Sequence, residues 1–538
     1  MTSSAHHRRM RIALCRLIAA SVMVSLTLSA QVSPVLSGAW EGQMLLNGTW
    51  RYLEAQFGDS AGTTPTKVDT PQERREFRDF TIEGDRVRWT LVRGQNWIRF
   101  DGVLSGDAIR GQVEQRGVLG EFQLVRIRRT EPRQETPLAA TYRTRGGSLV
   151  TVARFDFGDG IDRLALMDAQ RGYWGTLLPT GSDAYLLAPA RSGRFPASLR
   201  VTFQRNPNGT GSTLTMSGPG SEQVIADRID LYESREVTFQ NGNVTLAGTI
   251  LSPRLEGTVP AVVLVHSSGN QSRNGPVAYF RLIANLFAAN GITALVYDKR
   301  GVGSSTGTWT TASFHDLAGD AKAAVAEVRR APGVDAQRVG LWSLSQGGWV
   351  APLASGDDNG IKFLALMSAA ATTPAQQEMD RVVQLMKTNG FSSVEMEMAY
   401  RYLRTFFQVV TGQAQWSVLQ TAIARYENEG WAQYVPRPRT AAEASWAPEP
   451  VTLDPAVVFS KVNAPVLAVH GTLDADIDTT KNSPLFAKMS RNAMSRQQVF
   501  QGADHYLLLE VTDPDNEYRR LHSDYLQSTI DWIKRASQ

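Results

Sequence analysis

The sequence predicts an α/β fold in the C-terminal half of the chain, with a doubly wound and mostly parallel sheet, and an all-β region before it. After residue 235, short apolar strands alternate with amphipathic helical segments, the pattern of a parallel sheet covered by helices on both faces. Before residue 235, runs of alternating polar and apolar residues are separated by turn signals, at roughly ten-residue intervals typical of an antiparallel barrel or sandwich.

Composition supports a large globular protein. The chain has 538 residues, 42% of them hydrophobic and 20% charged, which is enough for two or three domains with sizeable cores. Its single cysteine, Cys15, excludes a disulfide scaffold and any cysteine-based metal site.

The N-terminus resembles an export signal. Arg8, Arg9, Arg11 and Arg16 precede an uncharged, apolar run from Leu17 to Ala30. This pattern predicts a signal peptide over residues 1–30 and export to the periplasm or outside the cell. The run is short for a bilayer span, so an N-terminal membrane anchor is the weaker alternative. These four arginines account for the formal net charge of +4, and no basic field remains for nucleic acid.

The rest of the chain divides into three predicted parts. Residues 31–130 are expected to form a β-rich domain, for which a lipocalin-like barrel is one candidate, and residues 138–233 a second β-rich module. A charged, proline-containing stretch separates them. Residues 234–538 are expected to form the catalytic domain, because the alternation of strands and helices begins there. Residues 372–455 interrupt this alternation with helices and predict a cap over one end of the sheet.

The segment "GLWSLSQGGW" (residues 340–349) carries the sharpest chemical signal. A nucleophile elbow joins a strand to a helix through a tight turn and needs small residues two positions before and after the nucleophile. Ser343 and Gly347 meet this requirement around Ser345. A turn centred on Ser343 would be flanked by Leu341 and Ser345, which fits less well. The sequence therefore favours Ser345 as the nucleophile.

A serine hydroxyl needs a general base, and in this fold the base is a histidine that follows the acid in chain order. His470, His505 and His522 follow Ser345. His505 lies in "GADH", after a strand and before the final helix, and is the favoured base. His470 ends a strand where the acid is expected, and His522 is assigned to the surface of the last helix.

The acid is expected in "GTLDADID", after the strand that ends at His470. Asp474, Asp476 and Asp478 all qualify by position. The spacing from the glycine to the following aliphatic residue favours Asp474, with Asp476 as the alternative. Asp504, next to His505, is interpreted as a turn residue.

Two backbone N–H groups are expected to bind the oxyanion. One belongs to Gln346, directly after the nucleophile, and the other to the loop that follows the strand "AVVLVH". Ser267 or Ser268 would supply the second group, and Ser268 is favoured.

Together, "VVLVHSSG", "VYDKRGVGSSTG", "GLWSLSQGGW", "LAVHGTLDADID" and "GADH" resemble the α/β-hydrolase superfamily over residues 235–538. The resemblance is strongest to bacterial serine esterases and to dienelactone-hydrolase-like or acyl-peptidase-like hydrolases. It implies an α/β-hydrolase fold and a triad of Ser345, Asp474 and His505. Asp298 and Arg300 correspond to a turn and ion pair that shape a loop.

The predicted function is therefore an exported serine hydrolase that cleaves carboxylic esters through an acyl-enzyme, with no cofactor and no metal. The methionine- and aromatic-rich cap favours a small-molecule ester with an apolar moiety, and the equal alternative is an ordinary amphipathic helical layer that buries these side chains. The first alternative is a serine peptidase or amidase of acyl-peptidase type. The second is an inactive binding protein on the same fold, which the intact order of the three triad residues disfavours.

Overall fold

The computed structural model describes most of the chain after the predicted signal peptide. The described residues are 36–46, 49–57, 76–93, 96–115, 117–128, 136–156, 162–190, 199–218, 223–444, 451–510 and 519–538. The predicted signal peptide, residues 1–30, lies outside them.

The first β-module is a seven-stranded antiparallel sheet with the strand order β2-β1-β7-β6-β5-β4-β3. Its strands are β1 (Gly38–Leu46), β2 (Thr49–Phe57), β3 (Glu76–Glu83), β4 (Arg86–Arg93), β5 (Asn96–Ser105), β6 (Ala108–Gln115) and β7 (Val118–Ile127). One face carries a compact core in which Trp89 stacks on Phe100, with ring centroids 4.8 Å apart. Alternation of apolar residues along each strand places these aromatic rings on a single face.

The second β-module is a closed eight-stranded barrel with the order β10-β11-β12-β13-β14-β15-β8-β9. Its strands are β8 (Thr141–Thr144), β9 (Leu149–Phe155), β10 (Arg163–Asp168), β11 (Tyr173–Gly181), β12 (Ala184–Pro189), β13 (Arg200–Arg205), β14 (Gly211–Ser217) and β15 (Val224–Ile229). The prediction of an all-β, barrel-like N-terminal region is confirmed, and it is this second module that closes.

The remaining strands form an eight-stranded sheet with the order β16-β17-β19-β18-β20-β21-β22-β23. They are β16 (Tyr232–Asn241), β17 (Val244–Pro253), β18 (Val259–Val265), β19 (Thr293–Tyr297), β20 (Val334–Leu344), β21 (Leu364–Met367), β22 (Val466–Gly471) and β23 (Arg496–Phe500). The first two form an antiparallel hairpin, and the other six pair in parallel. This is the predicted α/β-hydrolase sheet.

Helices cover both faces of this sheet, and two large apolar clusters lie between helices and strands. The α-helices in the described residues are α1 (Tyr279–Ala289), α2 (Phe314–Arg329), α3 (Gly347–Asp357), α4 (Pro374–Thr388), α5 (Ser393–Val410), α6 (Trp416–Arg425), α7 (Ala441–Ala444), α8 (Pro455–Phe459), α9 (Thr479–Met489) and α10 (Ser523–Ala536). Helices α4 to α7 lie within the inserted segment between β21 and β22. Within the described residues, no helix is long and apolar enough to cross a membrane.

The three parts are packed against one another. Between the first sheet and the barrel, the buried Arg163 lies 3.8 Å from Glu41 and 3.6 Å from Glu54. Between the barrel and the α/β domain, Trp174 of β11 packs on Tyr279 and Tyr506 in one continuous apolar cluster. Both interfaces bury side chains that would be exposed on isolated modules.

Candidate active site

Ser345 lies at the sharp turn between β20 and α3. Its φ of 53° is in the left-handed region, which a non-glycine residue adopts at an energetic cost. The surrounding structure holds it there: the Ser345 N–H donates to the carbonyl oxygen of Met367 at 2.9 Å, and the N–H of Gly348 donates to the Ser345 carbonyl oxygen at 2.8 Å. This is the strand–turn–helix geometry that a nucleophile elbow requires.

The elbow also explains why the neighbouring residues are small. A Cβ on Gly347 would lie 2.8 Å from both the Ser343 Cβ and the His266 carbonyl oxygen. A Cβ on Gly348 would lie 2.3 Å from the Cβ of Ala369. Since real carbon atoms do not approach this closely, glycine is required at both positions.

His505 and Asp474 form the closest acid–base pair of the site. The Nδ1 atom of His505 lies 3.0 and 2.9 Å from the two carboxylate oxygens of Asp474. Asp474 is 2% exposed, and one of its oxygens also accepts the backbone N–H groups of Asp476 and Ile477, at 2.9 and 2.8 Å. These bonds fix the carboxylate and leave it facing the imidazole.

The other two aspartates of this loop have different surroundings. Asp478 caps helix α9 by accepting the backbone N–H groups of Thr480 and Lys481. Asp476 is exposed and donates its own N–H to Asp474. The contacts therefore favour Asp474 over the alternative Asp476 as the partner of His505.

The pKa of His505 is raised to about 9. Burial of the ring acts to lower it, but the negative charge of Asp474 and the hydrogen bond to that carboxylate outweigh burial. The charges of Asp476 and Asp504 act in the same direction. Asp504 itself pairs with Arg519 at 2.8 Å and accepts the backbone N–H of Tyr506, as expected for a turn residue.

Ser345 and His505 each form a hydrogen bond with the end of β21 or the residue that follows it. The Ser345 N–H bonds to Met367 at the end of β21, and the hydroxyl of the next residue, Ser368, donates to the His505 carbonyl oxygen at 2.8 Å. The predicted nucleophile and base therefore lie together at the carboxyl ends of the parallel strands, where open α/β sheets bind their ligands.

The other histidines have structural contacts. His470 is fully buried, and its Nε2 lies 2.9 Å from the Ala369 carbonyl oxygen. His522 stands at the N-terminal end of α10 and accepts the backbone N–H of Asp524 at 3.3 Å. The prediction placed His522 within the final helix, whereas the structure places it at the N-cap, one residue before the helix begins.

The residues predicted to supply the oxyanion donors lie on two neighbouring loops. Gln346 is the N-cap residue of helix α3, and Ser268 is an exposed residue of the loop after β18. A third residue, Lys299, links them: its Nζ donates to the carbonyl oxygen of Ser267 and to the Oε1 of Gln346, both at 3.0 Å. Sequence reasoning missed Lys299, although a buried lysine two residues after a buried strand is an unusual pattern.

The neighbours of Lys299 correct one expectation. Asp298 and Arg300 do not pair with each other. Asp298 pairs with Arg273 at 2.8 Å, and Arg300 pairs with Asp320 at 2.7 Å. The Nζ of Lys299 instead reaches the loop after β18 and the side chain of Gln346, which places Lys299 at the candidate site.

Within the described residues, Asp474, Asp476 and His505 form the group of metal-ligand side chains whose donor atoms lie within 4.8 Å of one another. An ion there would compete for the Asp474 oxygens that already bind His505 and two backbone N–H groups. The arrangement fits an oriented acid–base pair better than a metal site.

The cap is tied to this loop through helix α4. The side-chain amide of Gln384 donates to the Asp474 carbonyl oxygen at 2.8 Å, and that of Gln377 donates to the Asp476 carbonyl oxygen at 2.6 Å. The cap methionines Met379 and Met386 are buried in the cap's own apolar cluster. Their burial is explained by packing between cap helices.

Comparisons with known proteins agree with the fold. Residues 258–512 match the family model described as serine aminopeptidase, S33. A thiohydrolase (apmlB) of Arthrinium phaeospermum is 32% identical over 140 residues, which cover 26% of this chain and 43% of that protein. The chain thus spans less than half of the length of this curated relative.

Solved structures also show similarity to part of the chain. An esterase of Pyrococcus furiosus is 15% identical with a TM-score of 0.37, over 57% of this chain and 92% of that one. A proline iminopeptidase of Mycobacterium smegmatis is 16% identical with a TM-score of 0.36, over 56% of this chain and 99% of that one. The segment matched by the family model contains Ser345, Asp474 and His505.

Proposed function

We propose that the chain is a serine hydrolase of the α/β-hydrolase type and that it cleaves carboxylic esters through an acyl-enzyme formed on Ser345. The match of residues 258–512 to a hydrolase family model supports this proposal. The observation that supports this most is the hydrogen-bonded pair of buried Asp474 and partly buried His505, held with the Ser345 elbow at the end of β21. A serine with a neighbouring base, itself oriented by a carboxylate, is the arrangement needed for nucleophilic acyl transfer.

In this mechanism, the Ser345 Oγ attacks the acyl carbon while its proton passes to the Nε2 of His505. Asp474 accepts the hydrogen bond from Nδ1, which fixes the ring tautomer and stabilises the imidazolium. The backbone N–H groups of Gln346 and Ser268 bind the oxyanion. The tetrahedral intermediate collapses, and the departing alkoxide takes the proton from His505. Water then attacks the acyl-enzyme by the same steps and releases the acid.

A serine peptidase or amidase is the second candidate. The observation in its favour is the match of residues 258–512 to a family model described as a serine aminopeptidase. The same acyl-enzyme chemistry would serve an amide, but the leaving amine must be protonated before the carbon–nitrogen bond breaks.

A panel of p-nitrophenyl esters and aminoacyl anilides separates these candidates. Ester turnover that disappears in Ser345→Ala, with loss of fluorophosphonate labelling, would support the proposal. Ser343→Ala is the matched control because it removes the other hydroxyl of the motif. Turnover of anilides alone would favour the peptidase, and no turnover or labelling of the folded chain would refute both.

The acid is tested by the pair Asp474→Asn and Asp476→Asn. An amide at position 474 stabilises the wrong imidazole tautomer and is expected to lower kcat by about 10⁴-fold. The amide at position 476 leaves the His505 hydrogen bond in place and should retain most of kcat. The reverse result would assign the role to Asp476.

The proposal includes export, with cleavage after Ala30. The supporting observation is the arginine-rich start followed by an uncharged apolar run. N-terminal sequencing of the protein from a bacterial expression host should find Gln31 as the first residue of the exported form. An intact N-terminus in the membrane fraction would favour an anchor instead.

A further inference from the structure

Lys299 follows β19 and is 3% exposed, although it carries a charge. Its Nζ donates to the carbonyl oxygens of Ser267 and Gly269, at 3.0 and 3.2 Å, and to the Oε1 of Gln346 at 3.0 Å. An ammonium group has three N–H donors, so these acceptors use all of them. A buried lysine is stable only when its charge is satisfied in this way.

These contacts have a directional consequence. The C=O of Ser267 and the N–H of Ser268 belong to one planar trans peptide, in which they point in opposite directions. When Lys299 binds the Ser267 oxygen, the Ser268 N–H is therefore directed away from the ammonium. The same ammonium holds the side chain of Gln346, whose backbone N–H begins helix α3.

From these contacts, we propose that Lys299 is a positioning residue. It holds the backbone N–H groups of Ser268 and Gln346 in the relative positions that they need to bind the oxyanion. The inference rests on the proposed serine mechanism, because it concerns the two N–H groups which that mechanism assigns to the oxyanion. Lys299 acts through these backbone groups, so its removal should affect the transition state more than substrate binding.

The surroundings favour a charged Lys299 at neutral pH. Burial lowers its pKa to about 8, while the negative charge of Asp320 opposes this effect. The neighbouring His266 stays neutral, since burial and then the charge of Lys299 lower its pKa to about 3. The ring of Trp309 lies 5.8 Å from the Nζ. The Lys299 ammonium therefore faces the loop after β18 as a cation.

The test compares Lys299→Met with Lys362→Met in the full chain. Lys362 is exposed and precedes β21, at the end of the sheet opposite the site. For a p-nitrophenyl ester, Lys299→Met should lower kcat by roughly 10²- to 10³-fold, as expected for loss of an oxyanion donor, while KM changes little. The inhibition constant of a trifluoromethyl ketone, which forms an oxyanion on Ser345, should rise by a similar factor.

Retention of kcat within about threefold by folded Lys299→Met, or a rise in KM alone, would overturn the inference. If Lys299→Met does not fold, Gln346→Met provides the test, because it removes the Oε1 acceptor but keeps the backbone N–H. It should lower kcat roughly tenfold, and unchanged kcat would again overturn the inference. Absence of Ser345-dependent turnover in the wild-type chain would instead refute the proposed function itself.

Discussion

Replacement of Trp174 by alanine should destabilise the α/β domain, although Trp174 belongs to the barrel. Trp174 is 2% exposed and stands 4.5 Å from the Tyr279 ring, centroid to centroid. Its Nε1 donates to the Val277 carbonyl oxygen at 3.0 Å. Val277 and Ala278 have φ values of 48° and 56°, so the indole helps to hold a strained turn.

The magnitude follows from these contacts. Trp174→Ala removes a buried indole, which costs about 3–5 kcal/mol, and leaves the carbonyl oxygen of Val277 without this donor. We therefore expect the free energy of unfolding to fall by at least about 4 kcal/mol. If barrel and α/β domain unfold together, about 400 residues at ~2.1 cal/mol/K each convert this into a fall in Tm of about 5 °C.

Differential scanning calorimetry of the full chain measures this change. Trp97→Ala is the control, since Trp97 lies half-buried on the first sheet with Arg99 over its ring. Ester turnover should also fall, because Trp174 packs on Tyr506, the neighbour of the proposed base His505. A Tm within 1 °C of wild type, with unchanged turnover, would refute the view that the barrel supports the site.

Four further predictions test the interface, the elbow and the base. Arg163→Met removes a cation between the buried Glu41 and Glu54, at the interface of the first sheet and the barrel. It should lower the free energy of unfolding in urea by about 3–5 kcal/mol. An unchanged urea midpoint would contradict a buried ion pair at this interface. Gly348→Ala places a Cβ 2.3 Å from the Cβ of Ala369 and should lower the free energy of unfolding by about 1–3 kcal/mol. A soluble variant that is as stable as wild type would contradict this expectation. His505 must be neutral to accept a proton, so kcat/KM should rise with pH around a midpoint of about 9. Asp476→Asn removes a charge that raises this pKa, so the midpoint should fall. Because the ligand atoms of Asp476 and His505 lie within 4.8 Å of each other, their Coulomb energy in water is at least about 0.9 kcal/mol, which corresponds to a fall of at least roughly 0.6 pH unit. An unmoved midpoint would contradict it.

The sequence was informative where structure depends on local pattern. The strand and helix alternation predicted the parallel sheet, because period and length separate buried strands from amphipathic helices. The small residues around Ser345 predicted the elbow because steric crowding there is local: Gly347 approaches Ser343, only four residues away. The contact between His505 and Asp474 agrees with the expected chain order of acid and base.

Long-range contacts could not be predicted in the same way. The barrel closes because β8 (Thr141–Thr144) pairs with β15 (Val224–Ile229), and alternation along each strand does not specify that partner. The position of Lys299 depends on acceptors from two other loops. The packing of Trp174 against Tyr506 joins residues from different modules, and an isolated tryptophan in a β-rich segment carries no signal of it.

Each loop of the candidate site is held by an element outside its own motif. Lys299 holds the loop after β18, Gln384 of the cap bonds to the Asp474 carbonyl oxygen, and Trp174 of the barrel packs behind Tyr506. Catalytic geometry tolerates displacements of only about 0.5 Å, so these supports matter for rate as well as stability. We therefore expect that changes in the cap or the barrel alter kcat through the geometry of the proposed site.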